Sequence, residues 1–389
     1  MTRMTATHGT GGANQADVAD HNARLVLTVL RQAGALPGAD LARRTGLSPQ
    51  GISTILRRLE TDGLLSRGAP LRGQVGKPRV PVSIAPEGGL AFGLKIGRRS
   101  TEIVLADLTG RIRARREARH DYPLPDAATG FVRAATLDLM AEAREQGLDP
   151  DRICGLGVAM PFEIWEWGEH LGAPDHAFGA WRSFDLQAAL AAICPWPVAI
   201  RNDVTSAARA ELALGPERPE RDWAYLFVGA FVGGGVVIDG RVRDGRRGNA
   251  GALGSLSTCL AGGTGQLIDA ASLYLLERAA VANGRAAVLP PDALSDPGPA
   301  LEGWLDGAAR ALAQAALDAC SVIDFETVVI DGALPPPVRA ELVRRVVDAM
   351  GRLDQRGLMP PAIAEGTLGA SARALGAALA PLEMRYFLG

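Results

Sequence analysis

In the first quarter of the chain, the residues best suited to chemistry are Ser48, Gln50, Gly51, Ser53, Thr54, Arg57 and Arg58. Ser48 is a helix N-cap candidate, and Pro49 suits the first helical position. Along the helix that follows, Ile52, Ile55, Leu56 and Leu59 share one apolar face, leaving Gln50, Ser53, Thr54, Arg57 and Arg58 outward. Short hydrogen-bonding side chains near a helix start read base edges in a major groove, while arginines further along take phosphates or guanine edges. Gly51 lets a backbone approach closely.

Such a helix needs neighbours to hold it. Leu25, Val26, Val29 and Leu30 recur at helical spacing before Gly34 and Pro37, and Asp40 is expected to cap a short second helix over Leu41 to Thr45, closed by Gly46. Gly63 ends the third. Leu64 to Arg67 and Val80 to Ile84 read as strands flanking a glycine- and base-rich tip, Gly68 to Arg79. A wing results, whose Arg72, Lys77 and Arg79 would track the backbone or the minor groove.

Charge agrees with that arrangement. Residues 21–84 hold nine arginines and Lys77 against Asp40, Glu60 and Asp62, so this segment is +7 within a chain of −2 overall. A basic module tied to an acidic body is expected when one part visits phosphates and the other does not. Amphipathic helices with exposed arginines also serve as docking modules for acidic proteins. The Ser-Pro start, short second helix, hairpin and local charge together favour duplex DNA.

The 389 residues, 47% hydrophobic and 22% charged, exclude a disordered chain and a basic nucleic-acid coat. Four cysteines lie dozens of residues apart with no Cys-x-x-Cys pair, so they read as reduced thiols. Residues 1–21 carry no apolar signal core, and the longest apolar run, Ala224 to Ile238, has 15 residues and four glycines, short of a membrane span. A soluble, cytoplasmic protein is expected, with a disordered tail over residues 1–20, a winged helix-turn-helix over 21–85 and a body over 86–389.

In the body, Ala91 to Gly97 and Thr101 to Asp107 look like a strand pair. Further strands are expected at Ile153 to Ala159, Val198 to Ile200, Trp223 to Val228, Val236 to Ile238 and Thr327 to Ile330, separated by alanine-rich helices. An α/β body in two lobes follows.

The order of winged helix, Gly93 to Gly97 hairpin, Asn202-Asp203 helix and Gly229 to Gly235 hairpin resembles the ROK proteins over nearly the whole chain after residue 20. These are repressors and sugar kinases built on the ribonuclease-H-like, actin-like ATPase fold. The resemblance implies that fold, a sugar site and, in the kinases, an ATP site and a structural zinc.

Several motifs depart from the kinase pattern. Where the kinases carry Asp-x-Gly-Gly-Thr, this chain has Lys95-Ile96-Gly97-Arg98-Arg99, a cation in place of the carboxylate that helps organise metal and phosphate. Arg201-Asn202-Asp203-Val204-Thr205 matches the segment whose aspartate is the general base; Asp203 is kept, and reads either as a hydroxyl-binding group or as part of a helix cap. The second phosphate hairpin reads Gly229-Ala230-Phe231-Val232-Gly233-Gly234-Gly235, either a nucleotide cradle or a device for tight chain crossing. Gly251-Ala252-Leu253-Gly254-Ser255 lacks the kinases' sugar-binding Glu and zinc-binding His, and only Cys259 follows, so no zinc and no metal are expected. Asp331-Gly332 replaces a Gly-Gly pair and would set a negative charge on the nucleotide side.

On the sugar side, the resemblance makes Glu163, Asp175, Trp181, Asn202 and Asp203 candidate ligand contacts. The segment Ile164 to His170, with Trp165 and Trp167, reads equally as part of a polyol site or as a lobe contact. The expected function is a DNA-binding transcriptional regulator, more a repressor than an activator, whose body senses a sugar or derivative without phosphoryl transfer or cofactor. The alternative is a bifunctional ATP-dependent sugar kinase that also binds DNA. Expected partners are a double-stranded DNA operator, a small effector and a second copy of the chain. Each recognition helix of the homodimer would enter one half of an inverted repeat, about 34 Å apart or a multiple of that.

Overall fold

The computed structural model describes residues 15–70, 79–168, 175–260, 263–284, 294 and 298–388. The chain divides into two units, one of residues 1–88 with 383–389 and one of residues 89–382.

In the first unit, α1 (Gln15–Ala33), β1 (Leu36–Pro37), α2 (Gly38–Thr45), α3 (Pro49–Thr61), β2 (Leu65–Arg67) and β3 (Pro81–Ile84) form three helices and a small antiparallel sheet of order β1-β3-β2. Val26, Leu27, Leu30, Leu41, Ile52, Leu56 and Leu59 fill its core. Positive φ at Gly34, Gly46 and Gly63 supplies the turns after the three helices. Of the disordered tail expected over residues 1–20, residues 15–20 are helical, because α1 starts at Gln15, and residues 1–14 lie outside the described residues. Asp40 does not cap α2: Pro37 occupies that position, and Asp40 in the first turn pairs with Arg43 and Arg79. The strand at Leu36–Pro37 is too short to carry a pattern in the sequence; its pairing with β3 defines it.

The second unit holds two five-stranded sheets. The first, of order β6-β5-β4-β7-β8, uses β4 (Leu90–Ile96), β5 (Ser100–Asp107), β6 (Ile112–Arg119), β7 (Ile153–Met160) and β8 (Val198–Asn202), with α4 (Pro125–Glu145), α5 (Asp175–Ser183), α6 (Leu186–Ile193) and α7 (Asp203–Leu214). The second, of order β11-β10-β9-β14-β15, uses β9 (Trp223–Val228), β10 (Val232–Ile238), β11 (Arg241–Val242), β14 (Thr327–Gly332) and β15 (Ala362–Glu365). A hairpin of β12 (Ser257–Leu260) and β13 (Gly263–Gln266) precedes α8 (Ile268–Ala271), α9 (Tyr274–Ala282) and α10 (Pro299–Val322). Next come α11 (Pro336–Met350) and α12 (Ala372–Tyr386). Each large sheet is an antiparallel meander extended by two parallel strands, the mark of a repeated α/β lobe. β6, with four arginines and an exposed side, lies at a sheet edge, where the apolar run that marks β4 and β5 is not required.

Glycines fix how the lobes hold α12. A Cβ at Gly93 or Gly157, on β4 and β7, would overlap the backbone of Ala374 or Ala377, and one at Gly376 would overlap Ser206 of α7. Helix backbone rests directly on strand backbone there. Among the described residues, no helix is long and apolar enough to cross a membrane.

The last residues of the chain complete the first unit. Phe387 is buried with the Arg31 guanidinium 4.1 Å from its ring centre, and Arg31 also pairs with Glu383 at 3.3 Å. The Leu388 amide donates to Thr28 Oγ1 at 2.9 Å, and Arg24 donates to the carbonyls of Glu383 and Met384.

Candidate nucleic-acid interface and ligand cleft

The Ser48 hydroxyl accepts a hydrogen bond from the Gly51 amide at 3.1 Å, which starts α3 where the Ser-Pro pair places it. A Cβ at Gly51 would approach Ser48 Oγ to 3.2 Å, so the small residue keeps the cap tight. Ile52, Leu56 and Leu59 face inward, while Gln50, Ser53, Thr54, Arg57 and Arg58 are all exposed on the opposite face. Arg57 makes no ion pair among the described residues, whereas Arg58 lies 3.8 Å from Asp62. Arg79, at the foot of the wing, is held by Asp40 of α2. Arg72 and Lys77 lie outside the described residues.

In the second unit, a cleft of about 540 Å³ opens between the two lobes. Lys95, near the end of β4, is buried; its Nζ donates to Ser100 Oγ at 2.8 Å and pairs with Glu102 at 3.4 Å. Burial pulls the Lys95 pKa down to about 8, the Arg373 charge adds to this, and Glu102 opposes it. Glu102 also pairs with Arg115 at 2.7 Å, and Arg99 with Glu277 at 2.9 Å. The Arg98 guanidinium lies 4.2 Å from the centre of the Phe231 ring and 5.5 Å from that of Trp167. Burial lowers its pKa to about 10, against the attraction of Asp203.

Asn202 is the N-cap of α7, its Oδ1 accepting from the Val204 and Thr205 amides at 3.0 Å. Asp203 is buried, accepts from the Val204 amide at 3.0 Å and pairs with Arg373 at 3.4 Å. Glu163 is exposed in a left-handed conformation (φ 45°). Asp175 is the first residue of α5.

Two expectations change, and a third reading, left open in the sequence, falls to packing. Trp181 does not face the cleft: it is buried in the first lobe's core, and its Nε1 donates to the Pro123 carbonyl at 3.0 Å, so neither ring face nor N–H remains for a ligand. The negative charge at Asp331 is not presented to the cleft. It is fully buried and accepts from Tyr225 Oη at 2.8 Å, the Gly332 and Gly369 amides and Arg339. The glycines of the second hairpin serve packing, because a Cβ at Gly233 would meet Val204 at 2.7 Å and one at Gly235 would meet Ala208 at 2.9 Å, both on α7. Beside them, Phe231 is buried with ring centres 5.0 Å from Tyr274 and 5.5 Å from Trp167.

Ser255 ends a short 3-10 turn, and Cys259, exposed, lies on β12 of the two-stranded hairpin. Among the described residues no three His, Cys, Asp or Glu side chains gather as a metal cluster. Lys95 places a buried ammonium where the resemblance puts the phosphate-loop carboxylate, and Asp203 pairs with Arg373. Sequence reading missed Arg373 and Glu277, since nothing near either residue marks it and only the fold brings them to the cleft.

Winged helix and duplicated α/β lobes together define a winged-helix unit followed by an actin-like sugar-kinase fold. Residues 91–266 match the ROK family and residues 16–73 the MarR family, so the chain carries a ROK family domain behind a MarR-like winged-helix amino terminus. It is 27% identical to the uncharacterized protein y4fQ of Sinorhizobium fredii, over 94% of this chain and 91% of the relative. It is 31% identical to the transcriptional regulator Rv0485 of Mycobacterium tuberculosis over 64% of this chain, spanning 57% of that protein's length. A crystal structure of a ROK family transcriptional regulator, a homologue of the E. coli MLC protein, shares the fold with a TM-score of 0.66 at 20% identity, covering 95% of this chain and 97% of the other.

Proposed function

We propose that the chain is a DNA-binding transcriptional regulator, acting as a repressor, whose kinase-like body senses a small ligand without transferring phosphate. The observation that carries this is the exposed polar and basic face of α3, set behind a capped Ser-Pro start in a unit of net basic charge. Regulators among the relatives support the same reading. Lys95 in the carboxylate's place and the Asp203–Arg373 pair support loss of phosphoryl transfer, which needs several electrostatic parts at once. On this reading no ATP or zinc cofactor is required, and the protein works in the cytoplasm.

A sugar or sugar derivative, contacting Glu163, Asp175, Asn202 and Asp203, favours a closed body. In a homodimer, closure shifts the spacing of two recognition helices on an inverted-repeat operator. Genome-wide capture of bound DNA tests the regulator reading directly. Arg57→Ala and Lys77→Ala should each weaken operator binding and lower the salt slope by about one unit. Binding and slope equal to the parent's would remove the interface, and brisk Asp203-dependent phosphorylation of hexoses by ATP would return the chain to the kinases.

A further inference from the structure

Among the described residues, the cleft's lining carries more positive than negative charge. Lys95, Arg98, Arg99, Arg115, Arg119 and Arg373 all line it, against three carboxylates, Glu102, Glu117 and Glu277. Glu102 is spent on Lys95 and Arg115, and Glu277 on Arg99. Arg119, exposed at the end of edge strand β6, has no ion pair among the described residues. Arg98 has none either, and its buried Nε has no hydrogen-bond partner. The buried Nε of Arg373 is likewise without one, although its Nη1 reaches Asp203.

Clustered cations are costly unless something balances them, and the cost grows where water is excluded. Here two guanidinium groups with open donors border a space of about 540 Å³, a size that holds small molecules. Leu273, Leu334, Pro335 and Pro336 supply an apolar wall to the same space. Guanidinium donors match carboxylate and phosphate oxygens in a planar, two-point geometry. From this we infer that the cleft is a binding site for a small organic anion, its carboxylate or phosphate oxygens held by Arg98 and Arg119 and its carbon skeleton lying on the leucine and proline wall. This deepens the proposed sensing role and rests on it: the sensed sugar derivative carries an acid group, which the cleft's arginines bind.

The test uses the full-length chain free of DNA, with calorimetric titration at constant ionic strength of three probes: citrate, pyrophosphate and magnesium-free ATP. Saturable binding of citrate or pyrophosphate is expected, weakened tenfold or more by Arg119→Ala and further by Arg119→Glu, exposed changes that spare the fold. Arg98→Lys should weaken it as well, and the probe that binds shows whether carboxylate or phosphate oxygens are preferred. Absence of saturable binding by both small acids, or binding indifferent to Arg119→Glu, overturns the inference. Binding of ATP alone also overturns it, because a retained nucleotide site would then explain the cations. Operator binding without any probe is measured in parallel; its failure with acid binding intact would count against the regulator reading and leave the anion site standing.

Discussion

Asp203, at the start of α7, and Arg373, in the first turn of α12, are held as a buried ion pair 3.4 Å apart. The carboxylate that the resemblance makes the kinases' general base is thereby tied to a helix whose backbone rests on β4, β7 and α7. Arg373 in turn lies 4.6 Å from the centre of the Phe227 ring. Asp203→Ala should leave that guanidinium buried and unmatched, costing about 3 kcal/mol in urea unfolding. In a reporter assay the same change should blunt the response to inducer while ligand-free operator affinity stays at the parent's level.

Gly157 has no room for a side chain, since a methyl group there meets the Ala377 carbonyl. Gly157→Ala should therefore lower stability by more than about 3 kcal/mol or prevent folding, as a clash between backbones cannot relax by rotating a side chain. Gly130, exposed in the middle of α4 with nothing within 4 Å of its Cβ position, is the control. Gly130→Ala should raise stability by about 1 kcal/mol.

Removing the Phe387 ring should open the first unit from its far end. Phe387→Ala is expected to cost about 3–5 kcal/mol and to speed hydrogen exchange of α1 amides around Thr28 and Arg31. Operator affinity should fall with it, although the residue is separated in sequence from α3 by more than 300 positions.

Lys95 gives the stability a definite pH signature. Its pKa is about 8 in the folded chain against an ordinary 10.5, so between these values the unfolded chain binds more protons and stability rises with pH. The penalty is complete below about pH 8, relieved above 10.5, and worth roughly 3 kcal/mol. Lys95→Met should exceed the parent in stability at pH 7, and the gap should close as pH climbs toward 10.5; a constant gap in urea midpoints would contradict the buried charge.

The winged unit was legible because its signals are local. Ser48, Pro49 and the spacing of Ile52, Leu56 and Leu59 specify α3 without reference to the rest of the chain, and the long apolar strands β4, β5 and β9 declare themselves by composition. Edge strand β6 did not, since its arginines break the apolar pattern. The cleft was legible in part. Lys95 and Asp203 sit at recognisable positions, but Arg373 and Glu277 enter through folding alone. Trp181 misled because a tryptophan at the family's position reads the same whether it stacks on a ligand or fills a core, as it does here. Asp331 misled because a buried carboxylate's donors, here Tyr225, Arg339 and two amides, come from distant segments.

Phe387 and Leu388 also set an order of events during synthesis. Helices α1 to α3 are translated more than 300 residues before Phe387 and Leu388, yet Arg31 and Thr28 make contacts with those two residues. A nascent chain therefore holds this unit unfinished until Phe387 and Leu388 have emerged, and a variant that lacks both should show a less stable first unit.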